Sequence, residues 1–317
     1  MTPPLIAPPV ARLIAAQSVR LALREGTVLL MVGLFGVLVL LSAWLGWQAT
    51  ATVNRIYSDA AAFLASAGKP VPTNPVLDTS PLILMRNMSV YVILIGALCA
   101  IVIGNRLVAL DRKAGVLALV AVRVPGRAGY ATGKMLALAV LVLALMGVAA
   151  LIGCATLLAL PATTIAAQGW LQLAGFFGLS ALYMGLFGLI ALTATAASGS
   201  ESVGLLIPVT IWLALTFILP ALTLNLTPTA VLNPISALAT PPDIGFFHAT
   251  GLLLGPFSLA ENYGALSARL LDYRPAAWVS RAAIPPMISL LLAFALAACA
   301  ARRALILLTP TSEGYDA

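Results

Sequence analysis

Residues 135–200, MLALAVLVLALMGVAALIGCATLLALPATTIAAQGWLQLAGFFGLSALYMGLFGLIALTATAASGS, contain no Asp, Glu, Lys, Arg or His. A hydrocarbon core of about 30 Å takes ~20 apolar helical residues to cross. Pro161, with Thr163, Thr164 and Gln168, divides the stretch into two segments, each long enough for one crossing. A second block, Ser202 to Pro242, is equally free of formal charge. The whole chain of 317 residues is 62% hydrophobic and 9% charged, with a mean hydropathy of +1.06. A soluble domain carries about 25% charged residues, so this composition leaves too little charge to cover a water-facing surface.

Outward from that core, six spans are predicted: Val28–Gln48, Asn87–Asn105, Met135–Leu160, Gly169–Ala196, Val203–Thr223 and Ala282–Ala301. Each is uncharged and of spanning length. Ser198-Gly199-Ser200-Glu201-Ser202 turns the fourth into the fifth. The fold class is therefore all-α, a single polytopic membrane domain over residues 1–317.

Residues 49–86 form an outer loop with Pro70, Pro72, Pro75 and Pro81 and a short helix around Tyr57–Ala67. Residues 224–281 form a second outer segment. In it, Ile244–Ala260 has no formal charge but only 17 residues, three glycines and Pro256. That length suits a re-entrant or interfacial piece better than a crossing.

Orientation follows from Lys and Arg. With a cytoplasmic N-terminus, Arg12, Arg20, Arg24, Arg106, Arg112, Lys113, Arg123, Arg127, Lys134, Arg302 and Arg303 lie inside, 11 of the 17 basic residues. Arg55, Lys69, Arg86, Arg269, Arg274 and Arg281 lie outside. This is the positive-inside bias, and it puts both termini, including the tail 302–317, in the cytoplasm. Ser66 and Ser267 are then expected to face outward, Ser198 and Ala114 inward.

Within the N-terminal 1–26, Val10–Glu25 sets Arg12, Gln17, Arg20 and Arg24 near one helical face and Val10, Leu13, Ile14 and Leu21 near the other. Such a helix lies in the interface with arginines toward anionic headgroups; the alternative is a plain orienting tail. Ala49-Thr50-Ala51 resembles a cleavage site. The preceding apolar run is too long for a signal-peptide core, so the first span is read as a retained anchor.

Reactive chemistry is sparse. The six spans hold no Asp, Glu, Lys, Arg or His, whereas ion-coupled carriers place such groups near the midplane. The nearest approach to a phosphate-binding loop ends in Gly133-Lys134, but Ala128 and Met135 stand where the pattern needs Gly and Ser or Thr. His248 is the sole histidine, and Cys99, Cys154 and Cys299 sit in apolar runs as packing residues. No catalytic, cofactor or metal residue is proposed, and the chain is expected to be no enzyme. Gly175, Gly178, Ala181, Gly185 and Gly188 recur at steps of three and four on the fourth span. Small residues there let helices approach closely, either inside the bundle or at a moving or dimer contact. Pro208 and Pro220 can kink the fifth span.

The most charged stretch is 106–134, RLVALDRKAGVLALVAVRVPGRAGYATGK. Leu107–Val122 is amphipathic, and Val124-Pro125-Gly126 breaks it. Apolar residues exposed at the cytoplasmic face need a partner, lipid or protein.

This segment resembles the signature of the ABC type-2 transporter permeases. It carries Asp111-Arg112 (with Asp where Glu is commoner), Gly115, Val116-Leu117, Pro125, Arg127, Tyr130 and Gly133-Lys134. The N-terminal helix, six spans, Leu232-Asn233-Pro234 and Arg302-Arg303 are similar in layout too, also to the permease of the nitrous-oxide-reductase maturation system. The resemblance implies that 106–134 is a coupling segment docking a separate cytoplasmic ATPase, which binds ATP and Mg. It also implies a second permease copy or a related permease, and a bacterial inner membrane. The function so implied is the membrane subunit of an ATP-driven exporter; the alternative is a non-transporting scaffold of a larger complex.

Overall fold

The computed structural model describes residues 10–74, 80–113, 127–159, 165–224, 245–273 and 282–308. Among them every regular element is helical: α1 Val10–Arg24, α2 Thr27–Ser66, α3 Arg86–Tyr91, α4 Ala97–Lys113, α5 Arg127–Leu158, α6 Ala167–Ala197, α7 Glu201–Leu213, α8 Leu219–Leu224, α9 Gly245–Leu254, α10 Leu259–Leu270 and α11 Pro286–Leu308. A π turn, Val92–Gly96, joins α3 to α4, and another, Ala214–Ile218, joins α7 to α8. Among the described residues six stretches are long and apolar enough to cross a membrane: Thr27–Ser66, Pro81–Arg112, Ala128–Leu158, Ala167–Ala197, Glu201–Thr223 and Pro286–Leu308. The chain is an all-α, multi-pass membrane protein.

The second and fourth spans make the centre. Of their most apolar windows 72% and 61% are buried, against 22% and 17% for the fifth and sixth, which leaves the outer spans to lipid or to other chains. The central pair meets through glycines: a Cβ on Gly104 would overlap the Gly188 carbonyl oxygen. The small residues of the fourth span divide among neighbours. Gly188 lies under Leu138 of α5, Gly185 against Phe294 of α11, and Gly175 against Leu270 of α10. Gly178 has open space, and Ala181 is half-buried against the core. Of the two roles open to this face, the described contacts are internal packing.

Span boundaries move. The first helix runs unbroken for 40 residues, about 60 Å at 1.5 Å per residue, so its C-terminal part projects well past a bilayer core. The separate helix expected around Tyr57–Ala67 is thus the end of this one. Nothing in residues 49–66 breaks a helix; Gly68 does, at φ +66°. Lys69 N–H donates to Leu64 O and Gly68 N–H to Ala65 O, a Schellman closure that only a residue tolerant of left-handed geometry completes. At its C-terminal end the second span continues to Lys113, and the third starts at Arg127 rather than Met135.

The prolines of the fifth span are accommodated locally. Pro208 cannot donate to Gly204 O, and Thr195 Oγ1 donates to that carbonyl instead, at 3.3 Å. A π turn precedes Pro220, and Trp212 Nε1 donates to Ile93 O, 3.0 Å away in the π turn of the second span.

The outer segment departs most from expectation. The apolar run 244–260 is divided into α9 and a 3-10 turn, Gly255–Phe257, while the seated element is α10. It packs against the fourth, fifth and sixth spans and α3, burying Glu261, Asn262, Tyr263 and Ser267. Ser267, expected to be an outward-facing position, is fully buried.

Candidate functional site: the Asp111–Tyr130–Lys134 clamp

Residues 111–134 are where sequence reasoning placed the site. Gly115, Val116, Leu117 and Pro125 lie outside the described residues, as does Ala114. The described residues on either side form a connected polar structure. Asp111, near the end of α4, and Tyr130 and Lys134, on successive turns of α5, point at one another. Tyr130 Oη donates to Asp111 Oδ2 at 2.8 Å, and Lys134 Nζ contacts the same oxygen at 2.8 Å. Lys134 also donates to Leu107 O at 2.7 Å and lies 5.6 Å from the Tyr130 ring centroid.

This corrects one expectation. Asp111 is not an exposed charge offered to a partner; it is buried, and Lys134 is only 2% exposed. A buried carboxylate needs a counter-charge and hydrogen bonds to offset its lost hydration, and α5 supplies both. The spacing allows it because residues four apart in a helix share a face.

Arg112, the next residue, turns the other way. Its Nη2 donates to Ala196 O at 3.0 Å, satisfying a carbonyl in the last turn of α6, while Nη1 is buried without a partner among the described residues. Asn105 donates to Thr195 Oγ1 at 2.9 Å and to Glu201 O at 3.3 Å. Arg106 pairs with Glu201 at 2.9 Å and with Glu25 at 3.5 Å, all about a third exposed or less. The end of the second span is thereby tied to the third, to the fourth-to-fifth turn and to the α1–α2 junction. Sequence reasoning named Asp111, Arg112, Tyr130 and Lys134, gave Arg106 only as the start of the segment, and missed Asn105 and Glu201, whose polar side chains at span ends were the available signal.

Gly133 has a different neighbour. A Cβ there would sit 2.8 Å from Ile14 Cβ and 3.0 Å from Ala11 O. With Gly129, beside Val10, it makes the flat face on which α1 lies. Arg127 opens α5. The clamp thus fixes both ends of 114–126 and bears the amphipathic N-terminal helix.

Two further features lie elsewhere. A groove of about 510 Å³ between the outer halves of the first and third spans is lined by Leu40, Trp44, Trp47, Leu151, Ile152 and Thr156, among others; with no charged group it suits acyl chains rather than a polar headgroup. The other is Glu261, 1% exposed, with Thr223 Oγ1 2.9 Å from its Oε2. Burial pushes this carboxyl up to about 7, opposed by the Thr223 and Ser258 hydroxyls. An interior free of acidic groups, expected from the spans alone, is therefore not what the bundle has. The overlooked sequence signal was Ser258-Leu259-Ala260-Glu261, the spacing of a capping box.

Set against family models and curated proteins, the chain matches none.

Proposed function

We propose that this protein is the membrane-spanning subunit of an ATP-driven transporter of the bacterial inner membrane, with segment 106–134 receiving force from a separate cytoplasmic ATPase. The observation that carries the reading is the buried Asp111–Tyr130–Lys134 clamp. A segment that transmits force needs rigid attachment at both ends, since a push on a loosely held loop is dissipated in the loop. Here the two helices flanking 114–126 are locked to each other by a buried ion pair, and through Arg112 and Arg106 to the fourth and fifth spans. Motion imposed on the segment then moves four spans together. The clamp residues are structural; the docking surface is the apolar face containing Val116 and Leu117.

The positive-inside count supports cytoplasmic placement of the clamp and both termini. A second copy or related permease is proposed to lie against the poorly buried outer spans. ATP and Mg belong to the ATPase in this reading, and the chain has no catalytic role of its own.

The test is capture of the ATPase. The tagged full chain is isolated from membranes of the cells that encode it, and the eluate is assayed for ATP hydrolysis. Wild type is expected to bring an ATP-hydrolysing subunit with it. Leu117→Glu is expected to lose it while keeping the wild-type elution profile. Seating Leu117 in a groove is worth about 1.5–3 kcal/mol, and an unpaired buried charge costs more than truncation. Retention of the ATPase by Leu117→Glu overturns the docking assignment. Absence of any ATPase from wild type favours the scaffold reading.

A further inference from the structure

We propose that Glu261 is a proton-binding site, and that the bound proton holds helix α10 in its seat among the spans.

The argument begins with counting protons at Thr223. Its single hydroxyl hydrogen has two acceptors within reach, Leu219 O at 3.0 Å and Glu261 Oε2 at 2.9 Å. A threonine hydroxyl in a helix donates to the carbonyl four residues earlier. With that hydrogen so used, the contact to Glu261 needs a hydrogen from the carboxyl. A neutral Glu261 donates to Thr223, Thr223 donates to Leu219 O, and both short distances are hydrogen bonds. Ionised, Glu261 leaves one of them as a meeting of lone pairs. The neighbouring pair is wired alike: Ser180 Oγ has Phe176 O at 2.7 Å and Tyr263 Oη at 2.8 Å, so Tyr263 donates to Ser180 and Ser180 to the carbonyl.

The surroundings offer an ionised carboxylate little. The elements packed on α10 are the fourth and sixth spans, α3, the π turn of the fifth span and the 3-10 turn 255–257. Their titratable and charged groups are Tyr183 from the fourth span, Arg86 and Tyr91 from α3, and Cys299, Arg302 and Arg303 toward the far end of the sixth. The two turns carry none, α9 contributes His248, and α10 with its C-terminal residues carries Tyr263, Arg269, Asp272 and Tyr273. Among the described residues no cation pairs with Glu261, and its hydrogen-bonding neighbours are hydroxyls. Among the described residues the seat therefore offers hydroxyls but no counter-charge.

The consequence for conformation has a definite sign. Seated, the carboxyl holds its proton up to about pH 7, because burial disfavours the charge; released into water, it loses the proton at the ordinary, lower carboxylate value. Raising the pH from the ordinary carboxylate range to about 7 therefore favours release of α10, lowering it favours the seat, and above about 7 both states are ionised and the preference no longer changes.

The test uses the purified full chain in nanodiscs, where both faces are open to reagent, so it does not depend on orientation or on any ATPase. Cys99, Cys154 and Cys299 are replaced by Ala, and Ser267→Cys places a thiol on the buried face of α10. Its maleimide labelling rate is divided by that of Ser66→Cys, an exposed control that removes the thiol's own pH dependence. The ratio is expected to climb by up to about tenfold per pH unit from the ordinary carboxylate range to about pH 7, where only the released carboxyl is ionised, and to level off above that. Glu261→Gln, whose amide donates permanently to Thr223, is expected to stay at the low-pH ratio throughout. A flat wild-type ratio overturns the proposal, as does an equal climb in Glu261→Gln. So does suppression of the climb by sodium at fixed high pH, which would make the ligand a metal cation. A carboxylic-acid infrared band that Glu261→Gln removes, fading as pH rises through neutrality, supports it.

Discussion

Replacing Lys134 with Met separates the structural account of the clamp from a surface-charge account. The methionine keeps most of the apolar stem but removes the ammonium from Asp111 Oδ2 and from Leu107 O, contacts of 2.8 and 2.7 Å. Asp111 then keeps the Tyr130 hydroxyl alone, in a site where its side chain is 8% exposed. Removing one partner of a buried pair costs about 3–5 kcal/mol, because the survivor is an uncompensated buried charge. Against a total stability of about 5–15 kcal/mol, that is a large loss. Were Asp111 and Lys134 exposed, the pair would contribute about 0–1 kcal/mol. The assay is unfolding in mild detergent followed by fluorescence-detected gel filtration, comparing Lys134→Met with the double variant Asp111→Asn, Lys134→Met. The double variant has no charge left to strand, so it is expected to recover most of the loss. A Lys134→Met protein as stable as wild type, or a double variant no better than the single, refutes the argument. The same pair bears on coupling, since the double variant retains a neutral Tyr130 contact and should keep more captured ATPase than the single.

Gly104→Ala should cost about 1–3 kcal/mol by overpacking the crossing of the second and fourth spans. Gly178→Ala, in open space on a helix, should be neutral or stabilising by up to ~1 kcal/mol; equal effects in a melting comparison would dismiss the described crossing. For topology, Ser66→Cys in intact cells should react with an impermeant thiol reagent and Gly199→Cys should not, both positions being exposed. The reverse pattern would invert the orientation. Ser267 cannot serve that purpose, since the bundle itself shields it.

The six crossings were legible because an uncharged run of ~20 residues has few alternatives to a bilayer. Their ends were not, because a hydropathy reading stops at the first charge whereas a helix stops at a breaker. Asp111, Arg112 and Lys113 are helical, as are Arg127 to Lys134, since nothing in those residues opposes the helix. The first helix likewise ignores the end of its apolar stretch and runs to the closure at Gly68. Pairing was illegible for a related reason. Asp111 and Lys134 are far apart in sequence, and each alone looks like an ordinary solvated charge at a span end. Only the antiparallel return of α5 beside α4 makes them one buried unit.

Glu261 shows the same limit from the other side of the protein. Its neighbours Asn262, Tyr263 and Ser267 have loop-like composition, and the apolar run just before them drew attention to α9 instead. In a bilayer-sized fold, however, apolar residues can face lipid, so burial inside the bundle goes to whichever segment can satisfy its polar groups there. α10 does so through Thr223, Ser180, Gly255 and Ser89, reached by Glu261, Tyr263, Asn262 and, just beyond the helix, Tyr273. Polarity in this chain thus marks interior sites as well as the surface. The Asp111–Lys134 clamp and the α10 seat are its two clearest cases, one holding its carboxylate with a lysine and the other, among the described residues, holding its carboxyl with hydroxyls. That difference makes the first a fixed strut and the second, in the proposal above, a joint that loss of a single proton opens.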